Sequence, residues 1–218
     1  MEPGPTAGID RIMPNNLIQQ IAILAPPFLL ALTFHEFCHG YVAWKLGDPT
    51  AQEQGRLTMN PLKHLDPLGV LAFIIMKIGW AKPIPVNPGY FKNPLRDMMW
   101  VGLAGPGANF LLAVLSAVAV KVLLATGGFM PEYLLMPVLS MAAAGVWINL
   151  MLGFFNLIPI PPLDGSRILS GFLPAEGVLF MRKMEPFGFI ILLLLFYLGV
   201  ISKLLMPMLN FAHSLLAG

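Results

Sequence analysis

The sequence predicts an all-α membrane protein with about four transmembrane helices and a re-entrant, partly β-stranded segment between the first and second. Three observations carry that expectation. Hydrophobic residues make up 57% of the 218 and charged residues only 11%, against about 25% charged in an average soluble domain; mean hydropathy is +0.75. Four apolar stretches are each long enough to supply the roughly 20 helical residues that cross a hydrocarbon core of about 30 Å. Between the first two lies a stretch of contrasting composition, residues 47–96, which holds Pro, Gly, Asn and most of the charge.

The first predicted span covers residues 17–44 and is interrupted by Pro26 and Pro27, which kink a helix because proline lacks an N–H and crowds the preceding turn. The second covers 98–124 and contains Lys121, the third 134–157 and the fourth 186–208. No fixed-period repeat is visible, so residues 1–218 read as one membrane-embedded domain. Within 47–96, the apolar run from Leu68 to Ile78 is too short to cross as a helix and reads as a membrane-dipping piece. The flanking GRLTMNP and AKPIPVNPGYF read as short strands joined by turns.

Basic residues set the orientation, because short cytoplasmic loops retain Lys and Arg. Lys45, Arg56, Lys63, Lys77, Lys82, Lys92 and Arg96 cluster after the first span, and Arg167, Arg182 and Lys183 after the third. The connection 125–132 has no basic residue. Both termini are therefore expected outside, with the two basic loops in the cytosol and the cell membrane as the location. The N-terminus lacks a basic n-region, so no removable signal peptide is expected. A net charge of +2, spread along the chain, argues against nucleic-acid binding. The single cysteine, Cys38, excludes an internal disulfide and a cysteine-only metal cluster.

His35-Glu36-Phe37-Cys38-His39 is an H-E-x-x-H sequence inside the first span. Residues four apart share a helix face, so both imidazoles can bind one Zn²⁺ while Glu36 lies beside them to handle a water proton. A pair of hydrogen-bonded helix histidines is the bland alternative. Depth argues against it, since each ionisable group at mid-membrane costs roughly 2.5–3.5 kcal/mol on insertion scales. Cys38 falls one position off the histidine face and reads as packing.

A catalytic zinc usually takes three protein ligands and keeps a fourth position for water. His64 lies in a polar loop and His213 near the C-terminus, which leaves Asp164 as the better third candidate. It follows the third span in Asn156-Leu-Ile-Pro-Ile-Pro-Pro-Leu-Asp164-Gly165, whose prolines end the helix and suggest an extended piece that bends back. If the first span enters at Ile21, His35 lies about 21 Å deep at 1.5 Å per residue, in the cytosolic half where Asp164 also falls.

HEFCHG, GRLTMNPLKHLDPLG, AGPGAN and NLIPIPPLDGSRIL together resemble the site-2 proteases, intramembrane zinc metalloproteases that cleave transmembrane segments. The likeness runs from about Leu17 to Leu169, with the motifs in the expected order. It implies a compact form without PDZ or CBS domain. By resemblance, His35, His39 and Asp164 would bind zinc and Glu36 would be the general base. Asn156 would position substrate or help stabilise the oxyanion, and Gly105 and Asn109 would pack near the site. The family also implies a single-pass transmembrane protein as substrate, while the oligomeric state stays open. Small-residue helix packing explains Gly105 and Asn109 equally well, and a helix-end role would explain Asn156. A zinc or proton-coupled transporter lined by His and Asp is the other functional class. It has no need of Glu36 between the histidines. A non-catalytic scaffold that keeps the metal site is the third.

Overall fold

A computed structural model describes residues 17–69 and 81–217. Its elements are α1 (Leu17–Lys45), α2 (Pro94–Thr126), α3 (Glu132–Asn156), α4 (Asp164–Ser170), α5 (Ala175–Tyr197) and α6 (Val200–Ala217). The helices α1, α2 and α3 are each long and apolar enough to cross a membrane, and α5 with α6 forms a fourth candidate span as a bent pair. The chain is thus an integral membrane protein, mostly helical.

The three long helices pack pairwise into a bundle, α4 lies on α2, and α6 lies on α3. Lipid tails are as apolar as leucine, so such a bundle is held by close van der Waals contact and internal hydrogen bonds rather than by exclusion of water. The sequence supplies that contact through small residues. Gly102, Gly105, Asn109, Ala113 and Ala117 recur at helical spacing along α2 and are all buried. Opposite them, Gly145 and Gly153 of α3 are buried too. At Gly153 any Cβ would lie 2.9 Å from the Phe110 ring. The apolar core continues through Val146, Leu150, Leu192, Leu205 and Leu209. Outward-facing side chains such as Leu111, Leu115, Val118 and Val122 are exposed, which is the face a helix in lipid presents. Pro26 and Pro27 lie inside α1, Pro106 inside α2 and Pro137 inside α3.

Three expectations change. The fourth span is not one helix over 186–208: α5 and α6 meet at an angle of 74°. Gly199 at the break has φ +69, the left-handed conformation that ends helices and that glycine adopts without Cβ strain. Second, no strand occurs in 47–96 among the described residues. The segment holds a helical turn at Thr50–Glu53, 3₁₀ turns at Pro61–Lys63 and Pro88–Tyr90, and one antiparallel bridge between Leu65 and Ala81. Pro83, Pro85 and Pro88 deny that stretch the N–H groups a ladder needs. The apolar run expected to dip into the membrane falls mostly on residues 70–80, outside those described. Third, residues 157–163 are compact turns rather than extended, closed by Ile160 N–H to the Ile158 carbonyl and Leu163 N–H to the Ile160 carbonyl.

Those turns fix how α5 approaches. A Cβ on Gly188 would sit 1.9 Å from the Pro161 carbonyl oxygen. Helix propensity alone makes Gly188→Ala stabilising by about 1 kcal/mol, whereas overpacking against backbone costs roughly 1–3 kcal/mol. The variant is expected to lower the thermal unfolding midpoint in detergent. A raised midpoint would show that the contact yields.

Candidate metal centre

The only His/Cys/Asp/Glu group among the described residues that could hold a metal is His35, His39 and Asp164. All three are buried in a bundle whose surface is apolar. On α1 the two histidines stand one turn apart, their rings edge-on at 85° with centroids separated by 4.6 Å. Their Nε2 atoms are 3.0 Å apart, and each is 3.1 Å from Asp164 Oδ2. Donor atoms bound tetrahedrally at 2.0–2.2 Å would be separated by about 3.3–3.5 Å. The observed triangle falls within a few tenths of an ångström of that.

Hydrogen bonding at the far side of each ring says what the triangle needs. His35 Nδ1–H donates to Asn109 Oδ1 at 2.6 Å, and His39 Nδ1–H to the Val101 carbonyl at 2.6 Å. The direction at Asn109 follows from its own donors: Nδ2 gives to Asn149 Oδ1 at 3.0 Å and to the Ala31 carbonyl at 3.3 Å. Asn149 Nδ2 in turn gives to the Gly145 carbonyl at 2.8 Å. The relay ends on backbone carbonyls, which only accept, so each amide orientation is determined. A neutral imidazole with its proton on Nδ1 offers a lone pair at Nε2. Two such lone pairs and a carboxylate oxygen converge in a donor set that suits a metal cation. Outer partners that fix the tautomer in this way characterise metal-ligating histidines.

Backbone geometry clears the space. At Gly105 on α2, a Cβ would come within 2.3 Å of His39 Nε2 and 2.6 Å of His35 Nε2. At Gly165, a Cβ would lie 2.2 Å from the Leu157 carbonyl oxygen, so glycine lets the start of α4 press against the end of α3. That contact aims Asp164, the first residue of α4, inward. Its second oxygen, Oδ1, lies 3.6 Å from the partly exposed Arg167 guanidinium.

Glu36 accepts the Ile84 N–H at Oε2, 2.9 Å away, and is half-buried. Asn156 spends its amide on the Leu152 carbonyl one turn back at 3.0 Å, so its hydrogen bond stays within α3. His64 is fully buried in the loop on the Thr58 carbonyl, and His213 stacks on Trp147; neither joins the triangle. Cys38 is a free, partly buried thiol. Asn149 is absent from the sequence-derived candidates. An asparagine inside an apolar span is itself a signal, but the residue it serves is 40 positions away.

The profile of peptidase family M50 matches residues 130–198. YwhC of Bacillus subtilis, whose name gives it as a candidate zinc metalloprotease, is 41% identical over 212 residues, covering 93% of this chain and 92% of its own. Rip2 of Mycolicibacterium smegmatis, named in the same way, is 31% identical over 208 residues, covering 89% and 74%. Zinc metalloprotease MJ0392 of Methanocaldococcus jannaschii is 27% identical over 197 residues, covering 88% of this chain and 46% of its own. No solved structure matches the chain.

Two substitutions test the relay and the clearance. Asn109→Leu, of similar volume, is expected to weaken zinc binding about 10- to 100-fold in chelator competition. Gly105→Ala should leave the purified protein with markedly less than one zinc. Full affinity in both variants would separate these residues from the metal.

Proposed function

The chain belongs to peptidase family M50, the site-2 type of intramembrane zinc metalloprotease, and from that premise we propose that His35, His39 and Asp164 hold its zinc while Glu36 is the general base. The observation that carries the ligand assignment is the convergence of two Nε2 lone pairs and Asp164 Oδ2, with both Nδ1 protons spent on fixed acceptors. When bound, zinc supplies Lewis acidity, lowering the pKa of a bound water toward about 7 and polarising the scissile carbonyl.

The chain's own groups do the rest. The Glu36 carboxylate takes a proton from the attacking water and later passes it to the leaving amine. Its anchorage on the Ile84 N–H limits the positions from which it does so. The apolar wall around the triangle keeps bulk water away and strengthens each electrostatic contact. The substrate is a membrane protein, and its class in this proposal is a single-pass segment that unwinds locally so that a carbonyl becomes available. Asn156 would contact substrate after leaving its bond to Leu152. The whole of 1–218 acts as one unit, and its orientation follows the basic residues, with termini outside, the zinc in the cytosolic half and the cell membrane as location.

Glu36→Gln is expected to keep one zinc per chain and to lower cleavage of a transmembrane reporter by about 100-fold or more. Asp164→Ala should lose both zinc and cleavage. Cleavage that survives Glu36→Gln would overturn the role given to that residue. Orientation is checked in a Cys38→Ala background with an impermeant thiol reagent on intact cells. Gly128→Cys, between α2 and α3, should be labelled, and Lys63→Cys only after permeabilisation; the reverse pattern would invert the topology.

A further inference from the structure

Residues 81–87 run as an irregular strip across α1, and their sequence leaves few hydrogen-bond donors. Pro83 and Pro85 have no N–H, so Ile84 carries the one donor among residues 83–85. That donor is the group bound to Glu36 Oε2. The Ile84 side chain lies in a notch one turn along α1, where a Cβ on Gly40 would come 2.3 Å from Ile84 Cδ1. Glu36 and Gly40 thus receive the N–H and the side chain of the same residue.

The strip is tied down on both sides of Ile84. Lys82 N–H donates to the His64 carbonyl at 2.9 Å, next to the Leu65–Ala81 bridge. Asn87 N–H donates to the buried Asp48 Oδ2 at 2.7 Å. Arg56 supplies the tie nearest to Ile84: its Nη2 donates to the Lys82 carbonyl at 2.9 Å and to the Pro83 carbonyl at 3.3 Å. Arg56 is only 6% exposed, and its Nε has no partner. Burying a guanidinium on backbone carbonyls with one N–H unpaired is costly. Packing alone would be served better by an apolar side chain. What this guanidinium does is grip the two carbonyls that precede the Ile84 N–H.

We propose that Arg56 is a positioning residue of the hydrolytic centre, holding the Lys82 and Pro83 carbonyls so that the Ile84 N–H fixes Glu36 Oε2 and leaves Oε1 to face the reacting water. The inference rests on Glu36 being the general base. A glutamate on a flexible arm samples several rotamers, and a displacement near 1 Å at a reacting group costs about 100-fold in rate. The strip's prolines stiffen the donor, and Arg56 locates it.

The test uses the full-length zinc-loaded protein in proteoliposomes with a transmembrane reporter, reading kcat, KM and zinc content. Arg56→Gln is expected to lower kcat roughly 10- to 100-fold, with KM within about twofold and one zinc retained. Arg56→Lys, able to reach one carbonyl, should recover part of the loss. A second pair reports on the N–H itself, should Arg56→Gln fail to fold. Ile84→Pro removes the donor and should match the Arg56→Gln loss, while Ile84→Val keeps the donor and should stay near wild type. An Arg56→Gln kcat close to wild type, a loss confined to KM or zinc, or equal losses in Ile84→Pro and Ile84→Val would each overturn the proposal. Glu36→Gln separates the two levels. If it is inactive while Arg56→Gln is fully active, only the positioning role fails; if it is active, the general-base assignment fails first.

Discussion

Two imidazoles and a carboxylate are brought within 3.1 Å of one another in an apolar bundle, which crowds three electron-rich groups into one place. The rest of the structure is arranged around that constraint. In a medium of low effective dielectric the penalty for leaving such groups without a counter-charge is large, and a metal ion held by the three, as proposed, would supply it. The Asn109–Asn149 relay and the Val101 carbonyl remove the alternative of turning an Nδ1 lone pair outward and bringing an Nε2 proton in. Family membership names that cation as zinc.

Bringing the donors together imposes demands on how α2, α3 and α4 pack. α2 must approach α1 closely enough for its backbone to lie against the imidazoles, which Gly105 permits and any side chain there prevents. α4 must begin against the end of α3, which requires Gly165. In a soluble protein such small residues would forfeit apolar burial; in lipid, where that term is nearly zero between helices, they cost little and gain close contact. The small-residue stripe on α2 and the polar cluster it shelters are therefore two consequences of the same solvent.

Much of this is legible in the chain itself. Long apolar runs fix the spans because a helix is the one way to satisfy backbone groups across lipid. His35, Glu36 and His39 are legible because i, i+4 spacing puts both imidazoles on one face, and Asp164 because it is an acid just after an apolar span. What stays hidden depends on contacts distant in sequence. Asn149 matters only through Asn109 and His35, which lie on two other helices. The elbow at Gly199 is a single residue inside an otherwise continuous apolar run, and one glycine has many readings in a membrane helix. The strand reading of 47–96 weighted residue type over hydrogen-bond supply. Pro83, Pro85 and Pro88 limit what the backbone can donate, and the chain resolves into turns and side-chain clasps instead.

The spacing of the ligands along the polypeptide has a consequence for biosynthesis. His39 and Asp164 are separated by 125 residues, with α2, α3 and the turns after α3 between them. As chains emerge and insert from the N-terminus, the H-E-x-x-H helix enters the bilayer with two of the three proposed ligands and without the small-residue helix that shelters them. No nascent fragment ending before α4 carries a complete centre. With the proposed ligand set, the nascent peptidase has no complete metal centre until α4 has been made.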